Sequence, residues 1–156
     1  MIEIKNKDGK VIHTVNADTL VGACFKNVDL SEADLSNLNL EKANFSYALL
    51  SNASFSGSNL SNANLFHAKL DNVNFFDANL ENANLEFANI KNAHLQNAKL
   101  KNANFSHSVL ENANITQSDL QNANLEYVNI RGALLQGSNL KEANLSGASI
   151  SSKTKF

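Results

Sequence analysis

The chain has 156 residues, the length of one domain and enough for a continuous core. Thirteen Lys and Arg against fifteen Asp and Glu leave a net charge of -2, which argues against a general nucleic-acid binder and equally against a strongly acidic decoy. A single cysteine, Cys24, excludes an internal disulfide framework and fits a reducing compartment.

No apolar run approaches the roughly 18 residues of a membrane span, and the opening MIEIKNKDGK lacks the apolar stretch of a secretory signal. A cytoplasmic location is therefore expected. Proline and tryptophan are absent and asparagine occurs 27 times, yet 43% hydrophobic residues is too many for a disordered chain.

Residues 1–17 read as a β-hairpin cap. Ile2 and Ile4 alternate with Glu3 and Lys5, Asp8-Gly9 supplies a turn, and Val11, Ile12 and Val15 return. Such a hairpin would cover the first coil of a stacked repeat.

Residues 18–152 obey a period of five. From Leu20 to Ile150, every residue whose number is a multiple of five is Leu, Phe or Ile, 27 of 27. Two places earlier the residue is Ala at 18 of 26 positions, the exceptions being Ser58, Ser108, Ser118, Ser138, Val28, Val73, Val128 and Leu38. Apolar residues spaced two, three, two, three leave no stripe on a helix and break the alternation of a long strand. The backbone must instead turn every five residues so that both apolar positions keep facing inward. A longer period of twenty shows in EKANF from Glu41, SNANL from Ser61, ENANL from Glu81, KNANF from Lys101, QNANL from Gln121 and KEANL from Lys141. Four units of five then close one coil of square section, with residue n stacked on residue n+20. About six and a half coils would make a rod on the order of 30 Å long at the ~4.8 Å interstrand step. Residues 153–156 form a short tail, with Phe156 placed to fold over the last coil and Lys153 and Lys155 to discourage edge pairing.

The pattern of Ala33-Asp34-Leu35 and Ala63-Asn64-Leu65 resembles the pentapeptide-repeat family over residues 18–152. That resemblance implies an all-β fold, a right-handed quadrilateral β-solenoid whose interior is filled by the Leu/Phe and Ala ladders. The family includes topoisomerase-binding DNA mimics linked to quinolone resistance.

The side chains that face outward offer few sites. Asn44, Asn64, Asn84, Asn104, Asn124 and Asn144 stack on one face, and Asn62, Asn82, Asn102 and Asn122 on another; turn formation and amide-to-amide hydrogen bonds account for them. Asp71, Lys91, Glu111 and Arg131 alternate in sign, as do Glu81 and Lys101, a solvated ladder without an acid–base pair. His67 and His107 lie two coils apart, too far to share a metal ion. Cys24 has no histidine beside it to activate it. No cofactor motif is present. What remains is a column of rings, Tyr47, His67, Phe87, His107 and Tyr127, with Phe66 beside it. An aromatic strip on a polar rod is the candidate partner surface.

These readings point to a non-enzymatic rod that binds or scaffolds an unknown protein partner, without nucleic acid or membrane, as a monomer or a weak end-to-end oligomer. The alternative is a DNA mimic that binds gyrase, which the balanced charge disfavours.

Overall fold

A computed structural model describes residues 1–156. The hairpin consists of β1 (Ile2–Asn6) and β2 (Val11–Val15), paired antiparallel with Ile2 opposite Val15 and a bulge between Ile4 and Lys5. Asn6 builds its turn: the side-chain Oδ1 accepts the N–H groups of Asp8 and Lys10, and Gly9 adopts φ +80°. On its other edge β1 pairs antiparallel with β3 (Ala33–Asp34), so the hairpin extends one side of the rod beyond the first coil. Ile4 is buried there, and the His13 ring meets Phe25 edge-on with centroids 5.9 Å apart.

From Cys24 onward the chain climbs by parallel bridges between residues twenty apart, from Cys24–Asn44 to Asn129–Ser149. One unit illustrates the rest. Leu100 donates its N–H to Asp119 O in the next coil at 2.8 Å, and Asn104 donates to Ala83 O in the previous coil at 2.9 Å. Ala103 N–H closes the corner on Leu100 O at 3.0 Å, and Asn102, third in that turn, has φ 58°. Positive φ at the third residue is what a type II turn demands, and it favours Gly or Asn. Every corner residue, numbered in 2 or 7 from Gly22 to Gly147, has positive φ. A second set of asparagines, numbered in 4 or 9, holds the approach to each corner. The Oδ1 of Asn44, Asn64, Asn84, Asn104 and Asn124 each accepts the N–H two residues on.

The interior is one cluster built from the multiples of five and the small residues two places before them. Phe25 stacks on Phe45 at 4.8 Å and Phe55 on Phe75 at 5.2 Å, while Phe45 meets Phe55 edge-on across the tube. The serines that replace alanine are each satisfied by a backbone carbonyl: Ser58 donates to Leu35 O, Ser108 to Phe105 O, Ser118 to Leu95 O and Ser138 to Ile115 O. A hydroxyl inside the tube therefore leaves no unpaired polar group.

The last turn departs from the expected register. Leu134 bridges to Lys155, twenty-one residues on, because Ser151 adds one residue. The slip turns Thr154 inward, where its hydroxyl donates to Ile130 O at 2.9 Å. Lys155 then occupies an outward place and pairs through its backbone with Ala133 and Leu135 of the preceding coil, while its side chain stays exposed. Phe156 remains 61% exposed. No helix of the structure is long and apolar enough to cross a membrane.

Candidate functional site

The ring column occupies one corner of the rod. Tyr47, His67, Phe87, His107 and Tyr127 all have positive φ, between 53° and 59°. Left-handed backbone costs a residue with a side chain about 1–2 kcal/mol relative to glycine. The other three corners mostly carry Asn or Gly at the equivalent place. Bulky rings on this corner alone are thus set against the local backbone preference.

The rings stack along the rod axis. Successive centroids lie 5.3, 5.0, 4.9 and 5.1 Å apart, with planes inclined by 6°, 11°, 9° and 19°. Phe66 stands edge-on to the column, 5.6 Å from Tyr47, 4.6 Å from His67 and 6.0 Å from Phe87. All six residues singled out in the sequence are therefore in one place. Tyr47, Phe87 and Tyr127 are 46%, 42% and 57% exposed. Because each ring covers the face of the next, the column offers solvent its ring edges, hydroxyls and imidazole nitrogens. A sugar, which stacks on open aromatic faces, has no platform here. Glu86 and Glu126 lie on the same corner, one residue before Phe87 and Tyr127.

The asparagine ladders are occupied by the fold. Asn102 Nδ2 donates to Asn82 Oδ1 at 3.1 Å, and Asn124 Nδ2 to Asn104 Oδ1 at 3.2 Å, while the Oδ1 atoms near the corners also take backbone N–H groups. Of the charge ladder, Lys91 and Glu111 form an ion pair at 3.0 Å. Asp71 instead accepts a hydrogen bond from Ser51, and Glu41 pairs with Lys42 beside it. The hydrogen bonds from Lys91 and then Asn129 hold the Glu111 carboxyl below its ordinary value, with the Lys91 and Arg131 charges acting the same way. Asp29 is likewise lowered, first by the backbone N–H of Ser31 and then by its hydroxyl.

Sequence reasoning passed over Phe76, which is 41% exposed on another face. With Lys7, Asn72, Asn74, His94 and Gln96 it lines a recess of about 430 Å³. A second recess, about 400 Å³, is lined by Glu111, Asn112, Arg131, Gly132, Ser151, Ser152 and Lys153. Phe76 gave no signal in the sequence because it stands alone in its column, followed by Gln96 and Thr116.

The repeat that builds this corner is that of a known family. The pentapeptide repeat region pattern matches residues 23–105 and 73–153. The chain is a pentapeptide-repeat protein. It is 31% identical to Rfr23, a pentapeptide repeat protein from the cyanobacterium Cyanothece 51142, over 87% of this chain and 89% of that one, with a TM-score of 0.35. It is 27% identical to HetL, a pentapeptide repeat protein involved in heterocyst differentiation regulation from the cyanobacterium Nostoc sp. strain PCC 7120, over 83% of each chain, with a TM-score of 0.43. QnrB1, a plasmid-mediated fluoroquinolone resistance protein, matches at 16% identity over 88% of each chain with a TM-score of 0.52, a likeness of fold alone. No curated protein matches. With the family comes the hand of the coil: this pentapeptide-repeat rod is a right-handed β-solenoid.

Proposed function

We propose that this pentapeptide-repeat protein is a non-catalytic, rigid rod of the cytoplasm that binds or scaffolds a protein, with Tyr47, Phe66, His67, Phe87, His107 and Tyr127 as its contact surface. The observation that carries the reading is the placement of five rings at corner positions with positive φ. Each ring incurs about 1–2 kcal/mol of backbone strain. Each stacked pair returns about 0.5–1.5 kcal/mol. Stacking therefore does little more than offset the strain, and an asparagine at the same corner would avoid it. Rings kept half-exposed under those conditions suit a surface that is covered in a complex, where aromatic anchors carry most of the binding energy.

The test is affinity capture with immobilised wild type and Phe87→Asn, after melting curves establish that both fold. A protein retained by wild type and lost with the variant supports the reading; identical retained proteins overturn it. The gyrase alternative rests on a likeness of fold, and no outward column of this rod carries carboxylates alone along its length. Inhibition of gyrase supercoiling, or protection from a fluoroquinolone, by the purified rod would put that alternative in place of the present reading.

A further inference from the structure

The order of the column, Tyr47, His67, Phe87, His107, Tyr127, reads the same in both directions about Phe87. From this we infer that the occupant of the ring column is a second copy of the chain, lying alongside the first and running antiparallel, with a two-fold axis through Phe87. The inference rests on the reading of that corner as a contact surface and names its partner. It makes the pair lateral, in place of the monomer or end-to-end association expected from the sequence.

Three observations carry it. A two-fold contact is self-complementary: when residue i meets residue j, j also meets i. An antiparallel pair therefore sets Phe87 on Phe87, His67 on His107 and Tyr47 on Tyr127, so that each of the five stacked rings meets a ring of its own kind, while Phe66 falls opposite Ser106. Neutral imidazoles and phenol hydroxyls both donate and accept, so like can pair with like at each step. A parallel pair would need no such symmetry in the order of the rings. The second observation is the step. The rings repeat at 4.9 to 5.3 Å, the rise of the solenoid itself, and a second copy has the same rise, so all five contacts can form together. A partner without that period would meet one or two rings. The third is closure: Gly147 ends the column below Tyr127 and Asn27 stands above Tyr47, so the strip has five members and no sixth to allow a shifted register.

The pair is weak and salt-sensitive. The strip is four coil steps long, about 19 Å, and one corner wide. That is well short of the ~800 Å² per partner typical of stable complexes. Glu86, beside Phe87, comes closest to its own copy across the axis, and these like charges repel until salt screens them. Added salt therefore strengthens the pair.

The test uses the purified full chain alone, in a Cys24→Ser background because Cys24 is exposed and free. Sedimentation velocity should show reversible dimerisation at high protein concentration, tightened by Glu86→Gln and weakened about tenfold by Phe87→Asn, as for a central aromatic anchor. Glu86→Cys keeps all five rings and sits near the axis, so mild oxidation should cross-link it to itself. Glu126→Cys lies about 19 Å from its own copy in the antiparallel register and should not cross-link. A wild type that stays monomeric at millimolar concentration overturns the inference, as does equal cross-linking of the two cysteine variants. Neither result bears on capture of a different protein, which the affinity experiment reads separately.

Discussion

The ring of Tyr127 lies over the α-carbon of Gly147: a methyl group there would collide with Cδ1 and stand 2.6 Å from Cε1. Gly57, Gly132 and Gly137 show the same relation to Asn37, Asn112 and Gln117 in the coil before. Corner side chains lean towards the following coil, and a glycine marks where one rests.

This relation separates two costs that usually come together. Gly22 and Gly147 have nearly the same φ, +68° and +69°, but a methyl group on Gly22 meets nothing within 4 Å. Gly22→Ala should lower stability by about 1 kcal/mol, the left-handed penalty alone. Gly147→Ala should lower it by a further 1–2 kcal/mol, roughly the cost of overpacking, and should displace Tyr127 from His107. Chemical denaturation of the two variants measures both numbers. Equal losses would mean that Tyr127 swings aside at no cost, and that the last ring is not held in the column.

The inward and outward assignments predict opposite outcomes for two residues only two places apart. Leu100 is fully buried in the column of Leu80 and Leu120. Leu100→Asp would place a carboxylate there without a partner and should unfold the rod, because burial of an unpaired charge exceeds the stability of a domain this size. Asn102→Asp loses one amide hydrogen bond to Asn82 but keeps a residue type that tolerates positive φ. Its loss should stay within about 1 kcal/mol. Circular dichroism at rising temperature distinguishes the two, and equal damage would contradict the assignment.

The register of the rod was legible because steric demand repeats: each coil needs a large residue every five places and a small one two before it, and the chain supplies them from Leu20 to Ile150. The column of rings was legible in its spacing of twenty, but the corner was not: asparagines numbered in 4 and in 2 carry the same turn signal, and along the rod only the positions numbered in 2 and 7 have positive φ. The slip at Ser151 was not legible. Thr154 can stand in for alanine only because Ile130 O lies within reach of its hydroxyl, a contact between residues twenty-four apart that no local pattern signals. The charge ladder was legible as a column but not as pairs, because exposed side chains choose among several partners of similar energy. Asp71 therefore takes the Ser51 hydroxyl while Lys91 takes Glu111.

Lys91 and Glu111 supply a titration test. Glu111 is held below its ordinary value in the fold, so its contribution to stability is present above the unfolded-chain value of about 4.3 and is lost as pH falls below it. The side chains are exposed, and the effect on stability is small. The carboxyl resonance of Glu111 should titrate at lower pH than a free glutamate, and Lys91→Ala should move it upward by removing the larger of its two hydrogen bonds. Unchanged titration in Lys91→Ala would show that the ion pair at 3.0 Å does not persist in solution.

The ring column allows its structural and binding roles to be read from the sign of one measurement. Replacing Phe87 with Asn relieves about 1 kcal/mol of backbone strain. It also removes two stacked neighbours, His67 and His107, worth about 0.5–1.5 kcal/mol each, and the edge contact with Phe66. The net loss should fall between about 0 and 2 kcal/mol. Tyr47→Asn and Tyr127→Asn each remove one stacked neighbour and relieve the same strain; Tyr127→Asn should be close to neutral, and Tyr47→Asn, which also loses its edge contact with Phe66, should lose at most about 1 kcal/mol. A column kept for stability alone would show losses at all three positions, larger than the strain relief, and double-mutant cycles with the adjacent His67→Asn or His107→Asn would be non-additive, because each stacked contact is lost only once. A column kept for contact would show near-neutral stability at the tyrosines while association of the rod falls with each ring removed. Urea denaturation of the three variants, beside their self-association, decides between these, and a loss above about 2 kcal/mol at Tyr47 or Tyr127 would assign the column to the fold.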